Sequence, residues 1–141
     1  MKVLVLHGVN LDLFGKRDPK VYGTATLAHI DDQLRALGRE LKAEVECFQT
    51  NGEKEMCERI HRALGEGFRA VVINAGAWTH YSYAIRDALE ILNVPVYEVH
   101  MSDIHAREPF RRHSVFEGLA RAQFKGEGVE SYLKGLRAAC Q

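Results

Sequence analysis

Val94-Pro-Val-Tyr-Glu-Val-His-Met-Ser-Asp-Ile-His-Ala-Arg-Glu-Pro-Phe-Arg-Arg-His113 starts as an apolar strand and passes without a break into polar chemistry. Three histidines, three arginines, two carboxylates and a serine stand in the fourteen residues from His100 to His113. Folding alone asks for no such density. In an open α/β sheet the carboxyl ends of the strands border a crevice that no helix fills, and ligands sit there. The stretch therefore reads as a strand followed by one wall of a site, with the other walls at the ends of earlier strands.

Those earlier strands can be found. Val3 to Leu6 and Ala70 to Ile73 are short apolar runs suited to a sheet covered on both faces, and Glu44 to Gln49 reads as another strand. Helical spacing separates them. It joins Leu27, Ile30, Leu34, Leu37 and Leu41 behind a Thr24 or Thr26 cap. It recurs in Met56, Ile60, Ala63 and Leu64 behind Thr50-Asn-Gly-Glu53, which has the form of a capping box, and in Ala84, Ile85, Ala88, Leu89 and Leu92. Leu119 to Phe124 reads as an edge strand and Val129 to Ala139 as a closing helix. Strands alternating with helices, joined by right-handed crossovers, predict one α/β domain over residues 1–141. It is a flavodoxin-like, doubly wound, parallel five-stranded sheet with helices on both faces.

Composition narrows the function. A chain of 141 residues, 46% hydrophobic and 27% charged, can bury a core without staples. Nineteen basic residues balance nineteen acidic ones, so no field draws a polyanion and nucleic acid is not an expected partner. Cys47, Cys57 and Cys140 form no C-x-x-C pair and cannot all be paired within the chain, which points to a reducing, cytoplasmic setting. The apolar opening is too short for a signal peptide, and no stretch approaches the roughly 18 apolar residues of a membrane span.

The segment from His7 to Gly23 shows no periodicity, and long loops of this kind commonly serve as lids, here with Gly15 and Gly23 as hinges. It carries Arg17 and Tyr22. An unassisted phenol keeps its proton far above neutrality, so using one as a base costs about 4 kcal/mol. A guanidinium about 4 Å away at an effective dielectric near 20 supplies about that much. Polar residues also close the strands: Asn10, then Asn74 and His80, then His100 and Ser102. Asn74-Ala-Gly-Ala, with Thr79 and Ser82 before a helix, offers backbone N–H groups to an anion. His80, His100 and His105 raise a metal reading, which the absence of a spaced histidine pair on one helix and of C-x-x-C disfavours. No G-x-G-x-x-G, Walker loop, G-x-S-x-G elbow or strand-end lysine is present. On these residues a lid-base enzyme, a non-catalytic carboxylate-binding module and a metal-dependent hydrolase all stay open.

Ordered blocks decide among them. His7-Gly-Val-Asn-Leu-Asp-Leu-Phe-Gly-Lys-Arg-Asp-Pro-Lys-Val-Tyr-Gly23, Phe48-Gln-Thr-Asn51, Ile73-Asn-Ala-Gly-Ala-Trp-Thr-His80, Ala84-Ile-Arg-Asp-Ala88 and Glu98-Val-His-Met-Ser-Asp-Ile-His-Ala-Arg-Glu-Pro-Phe-Arg111 resemble, in register, the type II 3-dehydroquinate dehydratases of the shikimate pathway. The resemblance implies a hydro-lyase that turns 3-dehydroquinate into 3-dehydroshikimate for chorismate and aromatic amino-acid biosynthesis. It implies Tyr22 as base, Arg17 as its activator, His100 as general acid oriented by Glu98, and Asn10 helping to hold the enolate through a water. It also implies substrate contacts from Asn74, His80, Asp87, Met101, Ser102 and Arg111, no metal or organic cofactor, and a homododecamer built from trimers. The family usually opens Asn-Gly-Pro-Asn-Leu, where this chain has His7 and Val9 in place of the asparagine and proline. Trp78 stands where tyrosine or leucine is more usual.

Overall fold

β1 (Lys2–His7), β2 (Glu44–Gln49), β3 (Ala70–Asn74), β4 (Val96–His100) and β5 (Ala122–Lys125) make one sheet in the order β2-β1-β3-β4-β5 in the computed structural model, which describes residues 1–141. All four pairings are parallel, so every connection must cross a face of the sheet. The chain steps outward from β1 to β2, then returns past β1 to add β3, β4 and β5. That reversal puts a crevice at the carboxyl ends of β1 and β3. The sheet is the flavodoxin-like one expected.

Successive residues of a strand face opposite sides, which explains why β1 feeds two cores. Leu4 and Leu6 pack with Met56, Ile60, Ile85 and Leu89, under α3 (Glu53–Ala63) and α4 (Tyr83–Leu92). Val3 and Val5 pack with Ile30, Leu34, Tyr132 and Leu136, under α2 (Leu27–Glu40) and α5 (Val129–Ala139). All five residues of β3 are buried, as a central strand covered on both faces must be.

Local differences from the sequence reading have local causes. Of the two candidate caps, Thr26 is the one used, its side chain accepting from the His29 N–H at 3.2 Å. The capping box before α3 does not form. Gly52 stands at the cap without a side-chain bond, and the Thr50 hydroxyl is taken one residue early by the Gly52 N–H at 3.2 Å. Glu53 instead accepts from the Ser82 hydroxyl at 2.6 Å, tying α3 to the start of α4. β4 begins at Val96, because Pro95 has no N–H to give the ladder. β5 begins at Ala122, since the Leu119 and Ala120 N–H groups turn back to the Phe116 carbonyl. The aperiodic loop contains a 3-10 turn at Leu11–Leu13 and a short helix α1 (Pro19–Tyr22), both too brief for an apolar period to show.

Gly8 holds the two strand exits together. Its N–H donates to the Asn74 carbonyl at 2.7 Å, and a Cβ there would lie 2.2 Å from the Ala75 carbonyl oxygen. Only glycine tolerates this approach. It brings the segments after β1 and β3 to one mouth.

Candidate active site

That mouth is the rim of a cleft walled by three strand exits. From the β1 side come Asn10, Phe14, Arg17 and Tyr22; from β3 come Asn74 and His80; from β4 come His100, Met101, Ser102, Arg107 and Arg111. Nine of the eleven residues expected in the site thus line one cavity. Glu98 stands behind His100 rather than in the lining, buried to 2% exposure. Asp87 is exposed on α4 and does not line the cavity.

Tyr22 ends α1, whose start is fixed by Asp18 accepting from the Lys20 N–H at 3.0 Å. The Tyr22 hydroxyl oxygen accepts from Arg17 Nη2 at 2.8 Å and from Arg107 Nη1 at 2.8 Å. The Arg17 guanidinium carbon also lies 3.8 Å from the centroid of the tyrosine ring. Negative charge developing on that oxygen would meet two cationic donors. Sequence reasoning missed Arg107. It stands among Arg107, Arg111 and Arg112, and which of them turns inward is set by 3-10 turns at Ile104–Ala106 and Pro109–Arg111 that no periodicity announces.

Opposite chemistry stands at the end of β4. His100 Nε2 donates to Glu98 Oε2 at 2.6 Å, and the Ser114 hydroxyl donates to the same oxygen at 2.8 Å. Burial pushes the Glu98 carboxyl up, but the hydrogen bond and charge of His100, with hydrogen bonds from Ser114 and Gln123, outweigh it and hold the group below its ordinary range. An ionised carboxylate only accepts, so it fixes the proton on Nε2. Nδ1 is left to the cavity.

His80 Nδ1 donates to the His113 carbonyl at 2.7 Å, leaving Nε2 to accept from a ligand. Burial lowers its pKa; the His113 contact raises it, while the neighbouring His100 and Arg111 lower it further, and the net shift is down. The ring is neutral at pH 7. The Asn74 side-chain oxygen accepts from the Gly76 N–H at 3.2 Å, and Asn10, in the left-handed region at φ 69°, gives its backbone N–H to Asn51 at 2.8 Å. Three guanidiniums around a cleft that holds no lining carboxylate favour an anionic ligand. The side chains that bring ligand atoms together elsewhere are His7, Asp31 and Cys47, not His80, His100 and His105.

A phenol between two guanidiniums, facing a carboxylate-oriented imidazole, can take a proton from carbon on one side and give one to a leaving oxygen on the other. The family model described as Dehydroquinase class II matches residues 1–140. A protein of Leptothrix cholodnii named 3-dehydroquinate dehydratase is 67% identical over 139 residues, covering 99% of this chain and 93% of that protein. One of the same name from Pelobacter propionicus is 64% identical over 140 residues, covering 99% and 94%. The crystal structure of type II dehydroquinase from Butyrivibrio crossotus superposes with a TM-score of 0.97 at 37% identity, covering 100% of this chain and 98% of the other. With the match running through the whole sheet and both walls of the cleft, this chain belongs to the class II dehydroquinase family.

Proposed function

We propose that this chain is a 3-dehydroquinate dehydratase acting as one catalytic domain over residues 1–141. It eliminates water from 3-dehydroquinate to give 3-dehydroshikimate in the shikimate pathway. The observation that carries the residue assignment is the Tyr22 hydroxyl held at 2.8 Å by both Arg17 and Arg107 in the cleft that also holds His100.

Tyr22, ionised between the guanidiniums, takes a proton from the carbon next to the ketone. Charge moves to the ketone oxygen, where Asn10 helps to hold it through a water. The carbon–oxygen bond to the leaving hydroxyl then breaks, and His100 gives its Nδ1 proton to that oxygen, releasing water. Glu98 keeps the imidazole in place and offsets its charge. Tyr22 has gained one proton and His100 has lost one, so returning that proton resets the site. Asn74, His80, the Met101-Ser102 segment and Arg111 hold the carboxylate and hydroxyls of the substrate. The scheme routes no step through a metal or organic cofactor.

The proposal includes a cytoplasmic homododecamer. Asp87 stands exposed outside the cavity of its own chain. No helix is long and apolar enough to cross a membrane.

Mixing the protein with 3-dehydroquinate and following the ultraviolet absorbance of the conjugated enone tests the activity. Absorbance should grow at micromolar enzyme; a flat trace from folded protein rejects the reaction. Arg17→Ala should cost about a hundredfold in kcat, the scale of one lost charge-stabilising donor. Wild-type turnover in that variant would leave Arg107 as the sole activator of Tyr22.

A further inference from the structure

The chain just after the 3-10 turn at Pro109–Arg111 passes the cleft without lining it, yet it reaches both imidazoles of the site. The His113 carbonyl oxygen accepts from Nδ1 of His80 at 2.7 Å. The buried Ser114 hydroxyl donates at 2.8 Å to Glu98 Oε2, the same oxygen that accepts from Nε2 of His100 at 2.6 Å. Val115 gives its N–H to the Thr79 carbonyl at 2.7 Å, which ties the segment to the residue before His80.

Each link has one direction. A carbonyl only accepts, so Nδ1 of His80 carries the proton it shares with His113. The Ser114 oxygen accepts from the Phe116 N–H at 3.1 Å, which commits its own proton to Glu98. Nε2 of His100 can donate to that carboxylate whether the ring is neutral or charged. The segment is held in turn from α4. Arg86 Nη1 donates to the Val115 carbonyl at 2.8 Å and to the Glu117 carbonyl at 3.1 Å, while Nε of the same side chain pairs with Glu90 at 3.3 Å. Val115 and Phe116 are buried in the core that α4 also feeds.

We propose that His113–Val115 is a strap that positions both imidazoles: Ser114 aims His100 through Glu98, the His113 carbonyl aims His80, and Arg86 fastens the strap to α4. The inference rests on the reading of the cleft as the dehydratase site. It goes beyond that reading in making Ser114 and Arg86, which do not line the cavity, positioning residues for the reaction.

Proton NMR of the free protein tests it without substrate, through the imidazole N–H protons that His100 gives to Glu98 and His80 gives to His113. Their loss in His100→Gln and His80→Gln assigns them. Ser114→Ala should move the His100 resonance and leave that of His80 in place. Its kcat should fall about tenfold, the scale of one hydrogen bond to a charged group, with KM within about twofold of the parent. Arg86→Met keeps the stem and drops the guanidinium. It should move both resonances, lower kcat and raise KM about fivefold, because His80 holds substrate and loses its aim. The Arg86 side chain is 23% exposed, so this variant keeps the test open should Ser114→Ala not fold. Glu90→Gln removes only the ion pair and should leave both resonances where they are. A merely structural role would shrink the folded fraction, lowering kcat while KM and both resonances of the folded molecules stayed put. An unmoved His100 resonance in Ser114→Ala, or an unmoved pair in Arg86→Met, overturns the assignment. So does a Glu90→Gln shift as large as that of Arg86→Met. If the parent protein turned over no 3-dehydroquinate, the dehydratase reading would fall, and the resonances alone would still decide whether the strap holds the two rings.

Discussion

Tyr22→Phe should lower kcat by about a thousandfold, within the span of general-base contributions, while KM moves little. Phenylalanine keeps the ring that lies 6.2 Å from Phe14 and beneath the Arg17 guanidinium at 3.8 Å, so the short helix α1 retains its packing. What disappears is the one oxygen on which both arginines converge. Steady-state kinetics with 3-dehydroquinate measures the loss. A double variant adds a stricter check: if Arg17 acts through the phenol, Arg17→Ala in the Tyr22→Phe background should cost far less than its own hundredfold, because groups that work as a unit do not add. Full additivity would mean that Arg17 touches the substrate directly. Turnover near the parent rate in Tyr22→Phe would place the base on another residue.

The strands were readable because a sheet covered on both faces demands uninterrupted apolar residues: Ala70 to Ile73 admits almost no other structure. Three helices, α2, α3 and α4, announced themselves by spacing, since each buries one stripe against the sheet. Reading failed where a residue's task is set by groups distant in the chain. Thr50 has the residue type of a cap, but its hydroxyl is taken by Gly52. Arg107 reaches Tyr22 across 85 positions, and nothing local marks it off from Arg112. His7 is hydrogen-bonded to Asp31 and Tyr132, from three separate elements, so no spacing could have revealed the cluster. The candidate site was legible for a different reason. Strand ends are few, and a polar residue at each of them needs an occupant for the crevice. Asp87 had only the resemblance behind it, and within one chain it stands apart from the cavity.

His100→Ala should be comparably severe and should carry a signature in stability that no other lining residue would share. Loss of the proton donor to the leaving oxygen predicts about a thousandfold lower kcat. The substitution also strands Glu98, at 2% exposure, without its principal partner. Removing one member of a buried pair costs on the order of 3–5 kcal/mol. The sign of the pH dependence follows from the carboxyl. In the parent its folded pKa is lowered, so its stabilisation is present above the unfolded value of about 4 and is lost as pH falls through the folded value. In His100→Ala, burial, the largest influence on this group and one that raises its pKa, is opposed only by Ser114 and Gln123. The folded pKa therefore moves up, and the variant resists ionising a group that the parent ionises readily. Urea denaturation from about pH 4 to 7 should show the stability gap between parent and variant widening as pH rises. A gap that stayed flat would mean that Glu98 is not held ionised by His100, and the orientation of the acid would need another source.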